Sequence, residues 1–197
     1  MKLAKVLWSS GSLFINVTIL IYIILSGRAP LDYEARHAFI NENWNIYGTL
    51  WKVEFLLMTM IAVGAIYFTA KSKKISWSIL STGQILLLVT YPLMLGGFRN
   101  TPFELAEMVN EIATVVFLFG NLVFFSGLFL LYLNDEILKK VLKYIAVALS
   151  GIAATIFLIT FAELISWKQA MIAGPLVNLL YLINAYYGLR IKFSSIE

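Results

Sequence analysis

Between Lys5 and Arg28 the chain runs for 22 residues without a charged side chain, and gaps of this size recur along it. Lys74 to Arg99 encloses 24 uncharged residues, Glu111 to Asp135 encloses 23, Lys143 to Glu163 encloses 19 and Lys168 to Arg190 encloses 21. A helix needs about 20 predominantly apolar residues to cross a bilayer. Five gaps therefore qualify directly. A sixth is less simple. Its uncharged part, Phe55 to Ala70, has 16 residues, roughly 24 Å of helix against a hydrocarbon core of ~30 Å. That helix must take in Glu54, and Lys52 lies at its edge.

The sequence thus predicts an all-α, polytopic membrane protein. It is a single domain over 1–197 with six transmembrane helices, at approximately 6–27, 46–70, 75–97, 106–133, 142–166 and 169–190. Composition agrees: 13% of residues are charged, 60% are hydrophobic and mean hydropathy is +0.84, whereas soluble domains carry about 25% charged residues. Lys2 and Lys5 could begin a signal peptide. The apolar run after them exceeds a typical h-region of about 7–15 residues, so an uncleaved first span is expected.

Orientation follows from lysine and arginine. The N-terminus, the 71–74 loop, the 139–143 region and the C-terminus hold 10 of these residues, and the opposite side holds 4, or 5 with Lys52. Both termini are therefore expected in the cytoplasm, in an N-in/C-in bundle of a prokaryotic inner membrane. The net charge of +4 is spread over short loops, so nucleic acid is not an expected partner. The lipid bilayer is one, and a homo-oligomer or membrane partner is a further possibility.

The outer loops are acidic. The longer one, around Asp32, Glu34 and Glu42, has Phe39, Ile40 and Trp44 available for a short interfacial helix. In the other, Pro102 suits a helix start, with Thr101 as N-cap and Glu104 close to a capping-box position.

Chemistry is constrained by what is missing. With no cysteine and one histidine, His37, thiolate metal sites, cysteine nucleophiles and bis-histidine haem are excluded. No GxSxG or HExxH pattern occurs. The reading therefore contains no catalytic residue, no metal and no cofactor, and leans against an enzyme.

What remains is polar residues inside spans, which are costly in lipid and face a bundle interior or a cavity. Residues two apart on a helix differ by about 200°, so Glu54 and Lys52 cannot share a face. Glu54 is expected to face inward, needing a polar partner or a proton, while Lys52 snorkels outward. Glu104, Glu107 and Glu111 share one face of the fourth segment, and Glu163 closes the fifth. The candidate ligand-binding set is Glu54, Glu111, Asn110, Glu163, Asn178 and Tyr91, forming an acidic pocket open to the outside. It would bind, or bind and transport, a small molecule, cation or proton. The competing readings are a non-catalytic assembly subunit, whose polar residues only organise helices, and, third, an intramembrane enzyme. A small-residue face on the fifth segment, Ala146, Ser150 and Ala154, predicts close helix packing, with Gly120 and Gly127 of the fourth as its partner surface.

Overall fold

A computed structural model of the chain describes residues 2–30, 32–170 and 174–191. The elements are α1 (Lys2–Ser26), α2 (Tyr33–Glu42), α3 (Trp44–Ser72), α4 (Ile75–Gly97), α5 (Phe103–Leu133), α6 (Lys140–Phe161), α7 (Trp167–Ala170) and α8 (Gly174–Arg190). The protein is an all-α, multi-pass membrane bundle. Among the described residues five helices are long and apolar enough to cross a membrane: α1, α3, α4, α5 and α6.

The expected count of six spans is therefore corrected to five. Among the described residues, 169–190 gives α7 as far as Ala170 and α8 from Gly174, with 17 residues, roughly 25 Å; residues 171–173 lie outside the described residues. The absence of charge was a poor guide here. Pro175 lacks an N–H and suits the first turn of a helix, where it stands in the described part of α8. The preceding helix also stops early. α6 ends at Phe161, not 166, and Glu163 follows at φ 58°. Lys192 and the side chain of Lys168, both counted in the charge tally, lie outside the described residues.

The helices form a ring in the order α1, α3, α4, α5, α6, α8, closing where α8 meets α1. The α6–α8 seam is the sparsest. Close approaches explain the ring's tight joints. An added Cβ on Gly11 would sit 2.8 Å from the Leu57 carbonyl of α3, and one on Gly64 would sit 2.8 Å from Trp8. Gly83 of α4 lies against the Phe124 backbone, and Gly127 of α5 against the Leu80 backbone at 2.8 Å. Small residues let backbones approach, which raises dispersion contact in a solvent where apolar burial gains little.

Gly120 and Gly127 thus pack on α4, not on α6 as the sequence suggested. The small-residue face of α6 is buried nonetheless: Ala146, Ser150 and Ala153 are fully covered and Ala154 is half-buried. It meets larger α5 side chains, with Phe157 stacked on Phe125 at 5.4 Å between centroids. Replacing Ser150 by leucine is expected to overpack this joint, costing about 1–3 kcal/mol. A detergent thermal melt checks this; an unchanged midpoint would mean that the joint yields freely.

One end of the bundle is filled by aromatic rings. Trp8 and Trp77 meet edge-on at 5.2 Å, Phe68 lies 4.8 Å from Trp77, and Tyr132 is perpendicular to Tyr187 at 5.6 Å. The α8 backbone is fixed there by the Trp8 indole, which donates to the Asn184 carbonyl at 3.0 Å. The Asn184 side chain accepts from the Tyr132 hydroxyl. Gly188 lies against Ser9 and Gly174 against Ile23, so α8 runs antiparallel to α1. Arg190 therefore lies at the same end of the bundle as Lys2 and Lys5.

At the opposite end α2 forms as a helix, capped by Asp32, whose carboxylate accepts from the Ala35 amide at 2.8 Å. The predicted Thr101 cap is not formed. Pro102 occupies the cap position of α5 without a side-chain bond, and the Thr101 hydroxyl donates to the Arg99 carbonyl instead. A proline ahead of Phe103 holds the entering chain extended, so the helix starts one residue later than a Thr101 cap requires.

Candidate functional site

Glu54 sits on the inward stripe of α3, one turn from Trp51 on one side and Met58 on the other, all three buried. It is 9% exposed, whereas Lys52 is exposed, as the helical period requires. Thr18 of α1 is its side-chain hydroxyl neighbour, and among the described residues no cation is among its electrostatic partners. Tyr22 of α1, Tyr91 of α4 and Tyr181 of α8 all lie within electrostatic range of its carboxyl. Four helices thus bring three phenols and a hydroxyl around one buried acid. Phe55 adds a ring 5.8 Å from that of Tyr91.

A polar lining continues from this acid along the interior. The Tyr181 hydroxyl points at the Met58 sulfur at 4.0 Å, and the Gln84 amide donates to the Met58 carbonyl and sulfur at 3.2 and 3.0 Å. Gln84 is fully buried, yet its Oε1 has no partner. The same holds for Ser9 Oγ, Ser12 Oγ and Asn16 Oδ1 on one stripe of α1, and for Asn178 Oδ1 and Asn184 Nδ2 on α8. Buried polar atoms without partners are rare in folded proteins and mark places where water or a ligand supplies the bond.

The six residues singled out from the sequence separate into two groups. Glu54, Tyr91 and Asn178 turn toward the interior. In the antiparallel register of α1 and α8, Asn178 falls level with Ile19, one residue from Thr18. Glu111 is exposed and Asn110 half-buried on the outer part of α5, and Glu163 is exposed beyond the end of α6. Among the described residues, no group of acids and His37 is arranged to hold a metal ion. Thr18, Tyr22 and Tyr181 were missed. The first two lie on a helix whose sequence is mostly apolar, and Tyr181 reads as a packing residue until α8 is placed against α1.

Glu107 and Glu111 instead face α2. The Tyr33 hydroxyl donates to the Ala106 carbonyl at 3.2 Å, and the Asn100 amide donates to Asn41 Oδ1 at 3.2 Å. His37 packs its ring between Phe98 and Phe103 at 5.8 and 6.0 Å. These contacts latch α2 over the α4–α5 turn. Burial, and next the Glu107 carboxylate, push the Tyr33 phenol up to about 12 from its usual 10.0. A raised value means that the fold favours the neutral phenol. The latch therefore contributes fully below pH 10 and is lost as pH rises through about 12. Tyr33→Phe is expected to remove one late step, at about 12, from the ultraviolet tyrosinate titration; loss of a step at the ordinary value of 10.0 instead would place Tyr33 in solvent.

Two grooves lie on the bundle's flank. One, of about 550 Å³, runs between α1 and α3; a smaller one, about 290 Å³, lies between α4 and α5 around Pro92, Gly97 and Leu105. Neither is lined by Glu54, Glu111 or Glu163. Fold and site together define a multi-pass, all-α membrane protein with a buried acid in its interior. No protein-family model, curated protein or solved structure matches the chain, so its function is argued from geometry.

Proposed function

We propose that this protein binds a proton or a small cation at Glu54, inside the membrane, and that this binding underlies transport or sensing of that ion. The observation that carries the reading is a nearly fully buried carboxyl on a spanning helix, with hydroxyl neighbours and, among the described residues, no cationic one. A carboxylate held in low dielectric is strongly unfavourable unless a proton or cation joins it. Two features support that role. The Thr18 hydroxyl donates to the Ile15 carbonyl at 2.9 Å, so its oxygen can accept from a protonated Glu54. The three tyrosine rings offer π faces and hydroxyl oxygens to a cation replacing that proton. The orphaned atoms of Asn16, Gln84 and Asn178 supply further ligands or hold water beside the acid.

In this reading Glu54, Tyr91 and Asn178 form the inner site. Asn110 and Glu111 form an acidic outer approach under α2, and Glu163 contributes to the field at the same side. The test is binding of thallous ion to purified protein by equilibrium dialysis, with Glu54→Gln, Glu111→Gln and Glu163→Gln in parallel. Loss confined to Glu54→Gln is expected. Equal binding by all four proteins would sink the reading.

The end of the bundle bearing Lys71, Lys73, Lys74, Lys139 and Lys140 is proposed to face the cytoplasm of an inner membrane, by the positive-inside rule. The chain has no cysteine, which makes labelling simple. Single cysteines at Ser72 and Asn134 are expected to resist an impermeant thiol reagent in intact cells, and one at Asn41 to react. Labelling at Ser72 from outside would invert the orientation.

A further inference from the structure

α1 and α3 are pressed together where Gly11 meets Leu57 and Ile61 and where Gly64 meets Trp8. Toward the α2 end the two helices no longer touch through glycine, and the groove of about 550 Å³ opens between them. Its floor includes Thr18, Leu50 and Leu57, which are 4%, 6% and 8% exposed; its walls include Phe14, Val17 and Val53, which are 54%, 53% and 43% exposed. These walls are apolar side chains on the outside of a membrane bundle, so the groove opens to lipid.

The floor matters for what lies behind it. Leu50, Glu54 and Leu57 follow i, i+4, i+7 spacing and share one stripe of α3. Glu54 is therefore flanked along α3 by two groove residues. Across the gap, Thr18 lines the groove and is also the side-chain hydroxyl beside Glu54. One small hydroxyl side chain thus separates a lipid-facing groove from the buried acid. Turning Thr18 about χ1 requires no backbone movement, and threonine in a helix has two accessible rotamers.

We infer that the groove between α1 and α3 is a lateral binding site for a lipophilic monovalent cation, whose apolar body fills the groove and whose charge reaches Glu54 past Thr18. The chemistry selects this class. Apolar walls favour a ligand already dissolved in the bilayer, the carboxyl demands one positive charge, and the phenols of Tyr22 and Tyr91 lie within electrostatic range of that carboxyl. A strongly hydrated ion gains nothing from such walls and would use another approach. This inference rests on Glu54 as the cation site but adds the route and the substrate class.

The probe is tetraphenylphosphonium, with binding to the detergent-solubilised full chain measured by equilibrium dialysis beside thallous ion. Val53→Trp and Thr49→Trp fill the groove from two positions, so one misfolded variant does not remove the test. Leu105→Trp fills the α4–α5 groove as a control. The expected result is tetraphenylphosphonium binding that weakens at least tenfold in both groove variants, is unchanged in Leu105→Trp and is lost in Glu54→Gln, with thallous binding kept in the groove variants. Tetraphenylphosphonium binding unaffected by both groove variants, or absent from the wild type, overturns the lateral site while leaving thallous binding to stand for Glu54. Thallous binding that survives Glu54→Gln overturns the Glu54 reading itself.

Discussion

Replacing Gly83 by valine is expected to cost this protein more stability than any other single change at a helix joint. Gly83 of α4 lies against the Phe124 backbone of α5, and an added Cβ would also sit 2.9 Å from the Gly120 carbonyl. These are backbone atoms of a neighbouring helix, so no side chain can swing aside. The α4–α5 joint is the most extensive in the bundle, and α4 must move outward to admit the branched side chain. Overpacking of this kind costs about 1–3 kcal/mol where side chains can adjust, and the upper end or more is expected here. Gly96 provides the contrast on the same helix, because nothing lies within 4 Å of its added Cβ. Gly96→Ala is expected to be neutral or to stabilise by up to about 1 kcal/mol through helix propensity. Thermal midpoints in one detergent separate the two; similar losses in both would mean that helix flexibility, not contact, makes glycine necessary.

Glu54→Gln carries the second large effect, and it falls on binding rather than on folding. Glutamine is close in volume and hydrogen-bonding reach, so Thr18 keeps a neighbour. It cannot take up a proton or balance a cation. Binding is expected to fall at least tenfold, about 1.4 kcal/mol, with little change in the thermal midpoint. Glu54→Leu is the sharper companion. Removing a buried uncompensated acid in favour of an apolar side chain is often neutral or stabilising, so a variant that melts higher and binds nothing is the anticipated outcome. A variant that melts lower by several kcal/mol would assign Glu54 to helix packing.

The membrane class, five of the six expected spans and the direction in which Glu54 points were legible because each follows from a local rule. Charge-free length gives a span, and a 100° step per residue separates Glu54 from Lys52. What was not legible depends on neighbours. Ile75–Gly97 matched the predicted bounds of α4 because Lys74 and Gly97 bracket it, but the last segment did not, because its described helix, Gly174–Arg190, has only 17 residues. Glu111 resembled Glu54 in depth along its helix; depth says nothing about azimuth relative to α2 and α4, and Glu111 is exposed. Thr18 and Tyr181 became visible only when α8 closed the ring against α1. Asp135 shows the same limit at the other end. It reads as a loop charge, yet it is 4% exposed, accepts from the Ile137 and Leu138 amides at 3.0 and 2.7 Å, and thereby shapes the turn into α6.

The most direct measurement of the central claim is carbodiimide labelling of membranes, read by mass spectrometry of the intact chain and its peptides. A hydrophobic carbodiimide enters from lipid and reacts with a protonated carboxyl; a water-soluble one reports acids in contact with solvent. The account predicts a hydrophobic-reagent adduct at Glu54 that declines as pH rises and the carboxyl ionises, together with water-soluble-reagent adducts at Glu107, Glu111 and Glu163 but not at Glu54. A Glu54 that stays unmodified by the hydrophobic reagent at every pH, or that reacts with the water-soluble one as readily as Glu111 does, would contradict it.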